Sequence, residues 1–223
     1  MVRGLRGDFN VAAILVAGAA ILDSLDGRIA RLTGTESEFG REFDSLADVL
    51  TFGFVPALLA YLWGLDTLGR LGWLAPLFYL VCCATRLARY NVKVQQVDRR
   101  YFVGIPSPAA ACMVASLLLF APEDDWKVWG NILVLATVLV VGGLMVSTFR
   151  YLSFGSIDLR QRWSYRGAIW WAAGLLAFAF RPTAALLAAA IVYTGLPPAA
   201  WAIRRLRGKP RRDEQSETEP SEA

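Results

Sequence analysis

The sequence predicts an all-α fold, a polytopic membrane bundle of about seven transmembrane helices, and three observations carry that expectation. Hydrophobic residues make up 56% of the 223-residue chain and its mean hydropathy is +0.42, both too high for an ordinary soluble domain. The apolar residues fall into runs that suit a hydrocarbon core of about 30 Å. Basic residues collect in alternate connections between those runs, as the positive-inside rule describes for a multi-pass protein. No zinc-finger, RNA-binding or helix-turn-helix pattern appears, so the small positive excess points to membrane lipids as partners and not to nucleic acid.

The first apolar run, 9–22, follows Arg3 and Arg6 and has the look of a secretory signal. Cleavage there would remove the helix that carries Asp23, so residues 8–32 are read as a retained membrane helix whose polar end reaches the interface. Six further spans follow at about 43–63, 71–90, 105–121, 129–149, 168–180 and 182–203. The boundary between the last two rests on Arg181-Pro182, where proline breaks the helix. Residues 28–41, 86–100 and 150–166 and the tail from Arg204 hold most of the arginine and lysine, which puts them in the cytoplasm and the N-terminus outside. Trp63, Trp73, Trp126, Trp129, Trp163, Trp170 and Trp171 fall near span ends, where an aromatic belt places them. Residues 153–165 mix apolar and charged side chains and suit the cytoplasmic interface. Residues 1–206 read as one membrane-embedded domain, and 207–223 as a disordered cytoplasmic tail too polar to pack. Cys82, Cys83 and Cys112 lie inside apolar runs with no CxxC spacing, and histidine is absent, so they read as buried inert thiols.

Four carboxylates interrupt this apolar pattern. Asp23 and Asp26 (i, i+3) share a face of the first helix, and Asp44 and Asp48 (i, i+4) share a face of the next. A short polar link, 33–37, lets the two faces meet. An acidic residue at the centre of a membrane helix costs about 2.5 to 3.5 kcal/mol on an insertion scale, so four of them carry a penalty on the order of 10 kcal/mol. Helix-end caps and a solvated face are the alternative reading, and a penalty of that size argues against it. Divalent cations would keep neighbouring carboxylates ionised, with Arg28 and Arg31 adding positive charge. The rise along each helix suits two ions about 3.5 to 4 Å apart, and hard oxygen ligands favour Mg2+ or Mn2+.

The residues Asp23, Asp26-Gly27, Ala30-Arg31, Gly40, Asp44 and Asp48 fit, position for position, the pattern D-x2-D-G-x2-A-R-x8-G-x3-D-x3-D. That pattern resembles the signature of the CDP-alcohol phosphatidyltransferases. Within that family, the stretch 39–57 with Arg86-Leu87-Ala88-Arg89-Tyr90-Asn91, residues 104–110 and residues 144–151 is most similar to the bacterial and archaeal phosphatidylserine synthases. The likeness runs from about residue 5 to residue 151, and the last two spans fit loosely. Members of the family normally carry a further membrane helix ahead of the segment equivalent to 9–32, and that helix is expected to be missing here.

The resemblance implies a metal-dependent enzyme that moves the phosphatidyl group of CDP-diacylglycerol to L-serine and releases CMP; in the cell membrane, the distribution of basic residues turns the acidic cluster toward the cytoplasm. The resemblance also implies that Asp23, Asp26, Asp44 and Asp48 hold two ions of Mg2+ or Mn2+ against the diphosphate, and that Asp48 is the catalytic base. Gly27 and Ala30 would let the nucleotide approach the helix, Arg31 would bind phosphate and Gly40 would belong to the same CDP-diacylglycerol site; helix packing and headgroup contact are the plainer readings of these residues. Arg86, Arg89 and Arg150 are candidates for holding the serine carboxylate, although positive-inside topology explains arginines there equally well. Another acceptor alcohol, such as glycerol 3-phosphate, inositol phosphate or choline, is the nearest alternative. From a different class, a transporter could use the carboxylates as an ion relay; their clustering at one interface and the absence of paired broken helices argue against it. Small-residue helix faces permit a homodimer.

Overall fold

A computed structural model describes residues 1–33, 37–93, 101–120, 127–152, 176 and 178–206. A single turn, α1 (Val2–Leu5), precedes α2 (Phe9–Thr33), whose 25 residues extend about 37 Å. Ala12, Val16 and Ala20 repeat every four residues along α2 and are buried, while Val11, Ile14, Leu15, Ile21 and Leu22 on its other faces are exposed. That division suits a helix with one protein-facing stripe and the remainder turned to lipid.

The next crossing is one continuous helix of changing pitch. It comprises α3 (Glu38–Asp48), a π-helical turn at Val49–Phe54, and α4 (Val55–Trp63). A 3-10 turn at Leu65–Leu68 leads into α5 (Arg70–Lys93). Strand β1 (Tyr101–Val103) then pairs antiparallel with β2 (Arg150–Leu152), and between them run α6 (Ser107–Phe120) and α7 (Lys127–Val146). The last helix is α8 (Pro182–Leu206).

Helix α6 is the hub. It packs against α2, α4, α5, α7 and α8. Its Ala110, Ala111, Val114, Ala115, Ser116, Leu117 and Leu118 are all buried, as a helix apolar on every face must be. Alanine and serine there let the neighbouring backbones come close. The sequence reading began this span at residue 105, whereas the helix begins at Ser107. Gly104 has φ +81, and a Cβ added there would meet the Met145 carbonyl; Pro106 then disfavours helical geometry at Ile105. With 14 residues, α6 extends about 21 Å, shorter than a full crossing.

Five helices among the described residues are long and apolar enough to cross a membrane: Phe9–Asp26, Glu38–Trp63, Arg70–Val92, Trp129–Val146 and Pro182–Ile203. The helical membrane bundle therefore stands, with five such helices and the shorter α6 among the described residues, which do not confirm the count of seven. The span expected at 168–180 lies almost wholly outside the described residues, as do 153–165 and the tail 207–223. The three cysteines are free, with Cys82 and Cys83 buried and Cys112 half-buried.

Two helices contain a proline whose missing N–H is replaced in the same way. In an α-helix the carbonyl of residue i accepts from the N–H of residue i+4. For Phe52 that residue is Pro56, and for Thr194 it is Pro198; neither can donate. The hydroxyl of Tyr79, on α5, donates to the Phe52 carbonyl at 3.0 Å, and the hydroxyl of Tyr151, on β2, donates to the Thr194 carbonyl at 3.1 Å. Both phenols are fully buried. Burial pushes the Tyr151 phenol up to about 12, so it stays a donor throughout the physiological range.

Candidate active site

The acidic residues come together between the C-terminal half of α2 and the C-terminal half of α3. Ser37 caps α3, its hydroxyl accepting from the Gly40 N–H at 3.0 Å, which satisfies one of the donors a helix start leaves open. A Cβ at Gly40 would come within 2.9 Å of that hydroxyl, so glycine keeps the cap accessible. Glu38 in the first turn adds a favourable charge at the helix N-terminus. Farther along, Asn91 at the end of α5 donates to the Ser45 hydroxyl at 3.0 Å, tying α3 to α5 beside the acidic residues.

Asp23 from α2 and Asp44 and Asp48 from α3 form one group, each offering a carboxylate oxygen within 4.8 Å of the others. Asp23 and Asp48 are half-buried and Asp44 is exposed. Asp23 and Asp48 thus face one another across the two helices. Asp26, one turn beyond Asp23, is exposed and stands outside the group of three. Among the described residues the one salt bridge joins Arg3 to Asp8 at 3.1 Å, far from these carboxylates in the chain. Three converging acids with no cation among the described residues within ion-pair distance are costly unless something positive joins them, and an oxygen-only donor set fits a hard divalent ion.

Arg86 is the described cation whose field reaches Asp48. It lies on α5, only 8% exposed. Its Nη1 donates to the Ser107 hydroxyl at the start of α6 at 2.9 Å, while its Nε is buried with no hydrogen-bond partner. Arg89, one turn on, donates from Nη1 to the Val146 carbonyl at 2.9 Å, closing the C-terminus of α7 where a positive charge is favoured. The ends of α2, α5 and α7 and the starts of α3 and α6 thus share one end of the bundle with the acidic group.

The side chains of Gly27, Ala30 and Arg31, on the last turns of α2, and of Arg150, on β2, lie outside what is described. The sequence reading missed Ser107, Asn91, Tyr79 and Tyr151. Asn91 and Ser107 fall inside the family-like stretches 86–91 and 104–110, but their partners are distant in sequence; for the tyrosines, the prolines at 56 and 198 signal an open carbonyl without naming its donor.

Comparison with known proteins matches residues 2–149 to the CDP-alcohol phosphatidyltransferase family. A Helicobacter pylori protein named CDP-diacylglycerol–serine O-phosphatidyltransferase is 43% identical over 151 residues, 67% of this chain and 63% of that protein. Proteins of the same name from Mycobacterium leprae and Methanocaldococcus jannaschii are 48% identical over 114 residues and 34% identical over 151. The first covers 49% of this chain and 38% of the relative, the second 68% of each. The chain thus spans less than two thirds of the length of the Helicobacter pylori protein. With the family's match covering most of the chain, and with the acidic residues of α2 and α3 inside it, the chain belongs to the CDP-alcohol phosphatidyltransferase family.

Proposed function

We propose that this chain transfers the phosphatidyl group from CDP-diacylglycerol to L-serine, releasing CMP, at the cytoplasmic face of the cell membrane, with residues 1–206 as the catalytic domain. The observation that carries the proposal is the three-carboxylate group of Asp23, Asp44 and Asp48 with the buried Arg86 beside it. The names of the relatives supply the acceptor.

In this reading Asp23, Asp26, Asp44 and Asp48 hold two ions of Mg2+ or Mn2+. Ions held there would neutralise the diphosphate and stabilise the leaving CMP. Asp48 takes the proton from the serine hydroxyl as its oxygen forms a bond to the phosphatidyl phosphorus; the bond from that phosphorus to the CMP oxygen breaks, and CMP leaves as a phosphate. A half-buried carboxylate is suited to the task, because a serine hydroxyl is a poor nucleophile at neutral pH and the chain has no histidine. Gly27 and Ala30 give the nucleotide room against α2, Arg31 pairs with phosphate, and Gly40 keeps the start of α3 open to the same substrate.

For the acceptor, Arg86 offers a buried guanidinium with an uncommitted Nε near the proposed base, a donor suited to a carboxylate. Arg89 and Arg150 are the further candidates for the acceptor carboxylate, with Arg89 also fixing α7.

The test is an acceptor screen with the purified chain in lipid nanodiscs, radiolabelled CDP-diacylglycerol, and Mg2+ or Mn2+. Serine is expected to yield labelled phosphatidylserine and stoichiometric CMP, while glycerol 3-phosphate and inositol phosphate yield none. Preferential use of another alcohol would overturn the acceptor, and no CMP release with any alcohol would overturn the enzyme.

A further inference from the structure

The pitch change at Val49–Phe54 begins immediately after Asp48, and its effect on the acidic residues can be worked out. The buried face of α4 is made by Pro56, Ala57, Leu59 and Ala60. Counting back along an unbroken α-helix at about 100° per residue, the direction midway between Asp44 and Asp48 falls about 120° from the centre of that face. A π turn absorbs one extra residue and so returns about 100° of that rotation. The two carboxylates then lie within about 20° of the buried face, and there they meet Asp23. Without the π turn, Asp44 and Asp48 would lie about 120° from that face.

The Val55 N–H reaches back five residues to the Leu50 carbonyl, and the next residue, Pro56, has no N–H to give. At this break in the backbone ladder the buried Phe52 carbonyl accepts from the Tyr79 hydroxyl at 3.0 Å. Helix α5 comes close at the same place: a Cβ added to Gly53 would lie 3.0 Å from Leu80 Cδ1 and 3.2 Å from Cys83 Sγ.

We propose that Tyr79 is a positioning residue for the acidic site: its hydroxyl, substituting for the donor that Pro56 lacks, holds the π turn that rotates Asp44 and Asp48 toward Asp23. The metal-binding consequence rests on the reading given under Proposed function; the rotation itself does not. Tyr151 supplies the internal control, since it makes the same substitution at Pro198 on a helix that carries none of the acids.

Two measurements on the full chain in nanodiscs test this. Mn2+ affinity is read from the paramagnetic resonance signal of the free ion. Proximity of the two helices is read from disulfide formation in Asp23→Cys/Asp48→Cys, identified by mass spectrometry so that the native cysteines stay in place. Tyr79→Phe is expected to weaken Mn2+ binding about tenfold and to slow the cross-link by a similar factor. Adding Pro56→Ala returns an N–H to the Phe52 carbonyl, and Tyr79→Phe/Pro56→Ala is expected to recover affinity to within about threefold of the wild type. Tyr151→Phe is expected to lower the unfolding temperature while leaving Mn2+ affinity within about twofold.

Wild-type affinity and cross-linking in Tyr79→Phe would overturn the proposal. So would a loss that Pro56→Ala does not repair, or an equal loss of affinity in Tyr151→Phe. If the wild-type chain binds no Mn2+, the metal reading fails, and the cross-link alone decides the latch: slower in Tyr79→Phe supports it, unchanged overturns it.

Discussion

Replacing Asp48 with asparagine separates two jobs that a carboxylate in this position can do. Asparagine matches aspartate in shape, so the packing of Asp48 between Asp23 and the field of Arg86 changes little, while the ability to take a proton is lost. A positioned general base contributes about 10² to 10⁴ in rate. Asp48→Asn is therefore expected to transfer to serine at least about a hundredfold more slowly, a barrier increase of about 2.7 kcal/mol. The amide oxygen still ligates a hard cation, more weakly than a carboxylate. Binding of CDP-diacylglycerol with Mn2+ should accordingly fall far less than turnover. Single-turnover transfer measured beside an independent substrate affinity gives both numbers on one preparation. The reasoning is refuted if Asp48→Asn keeps its transfer rate, or if it loses nucleotide and metal binding to the same degree as Asp44→Asn.

The other acidic residues predict different patterns. Asp23→Asn and Asp44→Asn should abolish turnover at limiting Mg2+ or Mn2+ with membrane insertion intact, and near-wild-type turnover in both purified variants would remove the metal assignment. Asp26 stands outside the group of three, so Asp26→Asn is expected to reduce the Mn2+ stoichiometry from two ions to one; two ions still bound would exclude it as a ligand. Arg86→Met should raise the KM for serine about 10- to 100-fold, the range for losing a charge-assisted contact, with CDP-diacylglycerol affinity little changed. An unchanged KM would show that the carboxylate is held elsewhere.

The acidic centre was legible in the sequence because helical spacing alone fixes which carboxylates share a face, and because charge in an apolar run has few innocent explanations. Asp23, Asp44 and Asp48 depend on nothing more. Asp26 obeys the same spacing yet stays exposed, since a face about 100° wide admits a residue to one side of the contact as well as at its centre. The hub was harder to see. Nothing in the alanine-rich run 107–120 distinguishes a helix that five others surround from one that faces lipid, because both are apolar on every side. Arg89 was ambiguous for another reason: its partner is a backbone carbonyl 57 residues away, and an identical arginine at a cytoplasmic span end needs no partner at all.

The deepest illegibility lies between Asp48 and Pro56, and it bears on how the site is made. Extended at constant pitch, the apolar pattern of α3 and α4 turns the acids and the packed face of α4 to different sides of one helix, a conflict between local pattern and site that tends to mark functional positions. The conflict is resolved by a change of pitch that leaves backbone groups without helical partners. In the membrane interior such groups must find donors within the protein, because neither water nor lipid supplies them. Pro56 makes the vacancy permanent, and Tyr79 fills it from a neighbouring helix. The orientation of Asp44 and Asp48 on the second crossing therefore depends on the placement of α5, which also carries Arg86 toward Asp48. Acid group and guanidinium are thus set by the same helix contact, and a disturbance of that contact should move both together.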